Sequence, residues 1–73
     1  VKPRALYLAE IIEAINGTEA TGDEAEDLST AFYLGVRVGN IAAVCSVYTG
    51  GDAEDVLNEA IAMATHDDLA AMN

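Results

Sequence analysis

From Pro3 to Asn16 the apolar residues Ala5, Leu8, Ile12 and Ile15 return at helical spacing, with Glu10 and Glu13 on the opposite side, which predicts an amphipathic helix over residues 4–16. Pro3 suits the start of this helix. Asn16 and Gly17 stop it, glycine being the residue that most cheaply adopts a left-handed closing conformation. A second helix is predicted over 23–49. Two pairs match the spacing at which side chains satisfy the free amides of a helix start, Thr21 with Glu24 and Asp23 with Glu26, and Gly50–Gly51 ends the run. A third helix is predicted over 53–65, opened by Asp52, Glu54 and Asp55 and carrying Val56, Leu57, Ala60, Ile61 and Ala64 on one face. Residues 65–73 are read as a last turn or a short fourth helix capped by Thr65 or Asp67. The fold class is therefore all-α, a small three-helix bundle in a single domain over 1–73, whose central helix is long and apolar. The strings GDEAEDL at Gly22 and GDAEDVL at Gly51 look alike, but capping chemistry alone accounts for both.

The central helix is apolar almost all round. Ala31, Gly35, Gly39 and Ala43 stand four residues apart and make a ridge of minimal side chains that another helix can approach closely, and the remaining faces carry Phe32, Tyr33, Leu34, Val36, Val38, Ile41, Val44, Val47 and Tyr48. The first and third helices each offer one narrow stripe, so part of the second helix is expected to remain open in an isolated chain. That points to self-association, a dimer, or to an obligate partner, with Ala31, Gly35, Gly39 and Ala43 at the interface. The competing arrangement is a bundle that wraps the central helix fully, with Tyr33, Arg37, Asn40 and Ser46 along its wet edge. Leu28 to Thr49 is also long enough to span a bilayer. Arg37 at mid-bilayer would cost roughly 2.5 to 3.5 kcal/mol and both flanks are acidic, so no membrane role is expected.

Charge sharpens this picture. Of 73 residues thirteen are Asp or Glu and three are Lys or Arg, a formal charge of −10, yet between Leu28 and Gly51 the only charge is Arg37. With 52% hydrophobic residues and a mean hydropathy of +0.22 the chain is too apolar for disorder, so the acid lies on a folded surface. Lys2, Arg4 and Arg37 make no basic stripe, which excludes direct nucleic-acid binding and attraction to anionic lipid, and makes basic proteins the natural partners. Asp52, Asp55 and Glu59 fall within about 60° of one another on the third helix. Glu19, Asp23, Glu26 and Asp27 gather at the start of the second. Carboxylates at such spacings lie about 5 to 6 Å apart at their Cβ atoms, close to the repeat of a phosphate backbone.

Two functions follow as expectations. The first is an acidic protein-binding module, a nucleic-acid-mimicking inhibitor of a basic nucleic-acid-handling protein, similar in size and acidity alone to phage-encoded blockers of restriction or CRISPR machinery. The second is a homo-oligomeric structural or regulatory subunit assembled through the apolar second helix, its acid serving solubility or adaptation to salt. The apolar, free Cys45 and a start interrupted by Glu10 and Glu13 suggest the cytoplasm, that of a host if the protein is viral.

No catalytic role and no cofactor are expected. Cys45 and His66 are the only residues suited to nucleophilic or base catalysis near neutral pH, and nothing accompanies them that would form an oxyanion hole. His66 with Asp67, Asp68 or Glu59 offers too few ligands for a specific metal site. Asp52, Glu54 and Asp55 lack the glycine and distal glutamate of a calcium loop. Arg37 is read as a solvent-facing side chain whose stem lies along the helix.

Overall fold

The computed structural model describes the backbone of residues 2–72 and the side chains of residues 2–64, and within them three helices follow one another: α1 (Arg4–Asn16), α2 (Glu24–Thr49) and α3 (Ala53–Met72). Each pair of helices is in contact, and the result is an all-α three-helix bundle. At about 1.5 Å per residue, α2 accounts for the longest dimension of the molecule, which measures 38 × 32 × 17 Å.

α1 opens where Pro3, in extended conformation, accepts the Leu6 amide on its carbonyl at 3.0 Å. Its end differs from expectation. Gly17 keeps a right-handed conformation (φ −80°), because Thr18 tightens the last turn instead. The Thr18 hydroxyl donates to the Ala14 carbonyl at 2.9 Å and its amide to Ile15 at 3.2 Å. Of the two candidate starts for α2, Asp23 is the one used. Its carboxylate accepts the Glu26 amide at 3.1 Å, so Asp23 lies just outside the helix. Thr21 serves the loop, its hydroxyl accepting the Asp23 amide at 3.2 Å.

The turn from α2 to α3 requires glycine. Gly50 and Gly51 have φ of +92° and +84°, a region that side-chain-bearing residues rarely enter. α3 then passes through the stop expected at Thr65, so that residues 65–72, read as a last turn or a fourth helix, continue the third. No Gly or Pro interrupts Ala53–Met72, and Ala, Leu and Met favour helix strongly enough to outweigh a cap at Thr65 or Asp67.

The core joins Tyr7, Leu8 and Ile11 of α1, Ala42 and Cys45 of α2, and Val56 and Ala60 of α3. On α1 the buried line is Tyr7, Leu8, Ile11 and Ala14, while the expected Ala5 is exposed and Ile12 and Ile15 are half-buried. Both other helices flank α1, so it buries a wider arc than one stripe, centred on its bulkiest residues. α2 contributes small residues, Ala42 and Cys45, and this lets α1 and α3 close over its C-terminal half.

Candidate functional site

α2 has two apolar faces, and only one is covered. The inner face consists of Leu34, Val38, Ile41, Ala42 and Cys45, all buried or half-buried. On the outer face Ser29, Tyr33, Val36, Asn40, Ala43 and Val47 recur at alternating spacings of four and three, and all six are exposed. At about 100° per residue they occupy an arc of about 80° whose centre lies about 170° from that of the inner face. Tyr33 is 69% exposed and Val47 79%, and Phe32 and Val44 flank the line at 67% and 45%. The Phe32 and Tyr33 rings meet edge to face with centroids 5.5 Å apart.

Gly35 and Gly39 of the small-residue ridge meet no close neighbour among the described residues. Ala31, Gly35 and Ala43 are exposed and Gly39 is half-buried, and a Cβ placed on Gly35 or Gly39 would meet nothing within 4 Å. The line that packs in the bundle lies beside the ridge, at Val38, Ile41, Ala42 and Cys45.

The seven acidic candidates separate into two groups at opposite ends of α2. Glu19, Asp23, Glu26 and Asp27 stand at its start, and Asp52, Asp55 and Glu59 follow its end, the length of the helix, about 39 Å, lying between them. Glu19, Glu26, Asp52 and Asp55 are exposed. The other three are engaged within the chain. Asp23 caps α2. Asp27 accepts the Thr21 amide at 2.8 Å, the Thr21 hydroxyl at 2.9 Å and the Gly22 amide at 3.2 Å, and the bonds from Thr21 above all hold its pKa below the ordinary carboxylate value. Glu59 receives Arg4.

Arg4 is a side chain whose structural role the sequence pattern does not reveal. From the first turn of α1 its Nε and Nη2 both donate to one Glu59 oxygen, at 3.1 and 2.8 Å, while Nη1 donates to the Thr49 hydroxyl at 2.9 Å and the Gly50 carbonyl at 3.1 Å. One guanidinium thus joins all three helices and supplies positive charge at the C-terminus of α2, where the helix dipole favours it. The Glu59 bonds raise its pKa above the ordinary arginine value. Lys2 pairs with Glu10 and lies over the Tyr7 ring, 4.8 Å from its centroid.

Cys45 is fully buried, with Sγ 3.4 Å from the Thr49 hydroxyl, which itself donates to the Cys45 carbonyl at 2.8 Å. The thiol is a core group tied to the end of its own helix. The side chain of His66 lies outside the described residues, as do those of Asp67 and Asp68. Among the described residues no three His, Cys, Asp or Glu side chains gather as metal ligands. Open surface grooves run beside the helices, one of about 280 Å³ between Lys2, Tyr7 and Glu10 of the α1 end and Asn40, Ile41 and Val44 of α2. No family model, no curated protein and no solved structure matches this chain.

Proposed function

We propose that the chain is a small acidic protein-binding module whose contact surface is the outer face of α2. One observation carries this reading: an uncharged line of residues from Ser29 to Val47, apolar except for Ser29 and Asn40, stands exposed along the outer side of the longest helix, while the opposite side of that helix closes the core.

α2 is long and apolar enough to cross a membrane by length and composition, with 11% of its most apolar window buried. The arrangement of its neighbours argues for a protein partner. α1 and α3 lie along the C-terminal half of α2 and bring Glu10, Glu13, Asp55 and Glu59 with them, and a bilayer around that half would have to take in these carboxylates. The acidic faces support the second reading, competition with nucleic acid for a basic protein, less directly. Glu19, Glu26, Asp52 and Asp55 are free to act in this way, in two groups separated by the whole helix.

Photo-crosslinking residues placed at Val47 and, separately, at Asp55 test the proposal in the cells that make the protein. Adducts from position 47 are expected. Adducts from position 55 alone would transfer the function to the acidic surface, and none from either would overturn it.

A further inference from the structure

We draw no further inference here: the strongest candidate, the open surface groove of about 300 Å³ beside α2 that is lined by Thr18, Thr30, Tyr33, Leu34 and Arg37, is made of side chains that are all exposed or half-buried, and nothing in the structure shows what would occupy it.

Discussion

Arg4 and Glu59 lie 55 positions apart and meet through two hydrogen bonds to a single carboxylate oxygen, at 3.1 and 2.8 Å. The same guanidinium holds the end of α2 through Thr49 and Gly50. In a chain with thirteen carboxylates and three strong cations, one of those cations is placed where all three helices converge.

Arg4→Ala should therefore lower the thermal midpoint, and Arg4→Lys should fall between it and the native chain. A lysine keeps the charge but loses the fork that serves Glu59 and the helix end together. Thermal melts at low and molar salt check this. The gap between native and Arg4→Lys should persist in salt, because it reflects geometry; a gap that closes entirely would reduce the contact to simple charge attraction.

Asp27 makes the loop before α2 sensitive to acid. Its bonds from Thr21 and Gly22 lower the pKa of the folded chain, so Asp27 favours folding at pH above the unfolded value of about 3.9. That contribution is lost as the pH falls through the lower folded value. Urea midpoints compared between about pH 5 and about pH 2 should show the native chain losing its advantage over Asp27→Asn across this window. A constant difference between the two would mean that the loop does not depend on the carboxylate.

The two sides of the bundle should answer mutation very differently. Ile11 is fully buried, and Ile11→Ala should cost about 2–5 kcal/mol, a large share of what so small a core supplies. Val47→Ala, exposed on the outer face, should change the stability of the monomer by less than about 0.5 kcal/mol. Chemical denaturation in dilute solution separates the two.

Two glycines make a similar contrast. Gly50→Ala forces a side chain into φ near +92° and should cost about 1–3 kcal/mol. Gly35→Ala, in open space within a helix, should stabilise the fold by about 0.5–1 kcal/mol. Destabilisation by Gly35→Ala would show that something seats closely on that position.

The helices were legible in the sequence because their signals are local: Asp23 with Glu26 for the start of α2, Gly50–Gly51 for its end, and helical spacing in α1. The course of α3 past Thr65 was less so, since a cap residue inside a run of good helix formers carries no decisive local signal. The candidate face was harder to read. An apolar excess on α2 announced an uncovered face, and the ridge of Gly35 and Gly39 drew attention because small residues invite close packing. Which line α1 and α3 would cover depends on Ala42, Cys45 and the bulk of Tyr7 and Ile11, a matter of tertiary fit. Only after the inner face is known does the alternation from Ser29 to Val47 stand out as a second face. The Arg4 clamp was invisible for the same reason, since its partners come from the far end of the chain.

That the outer face of α2 is made to be covered is tested most directly by photo-crosslinking from position 47, with position 55 as the comparison, in the cells that make the protein. The expected result is a protein adduct of the 7.6 kDa chain from position 47. Adducts from position 55 alone, or from neither position, would contradict it.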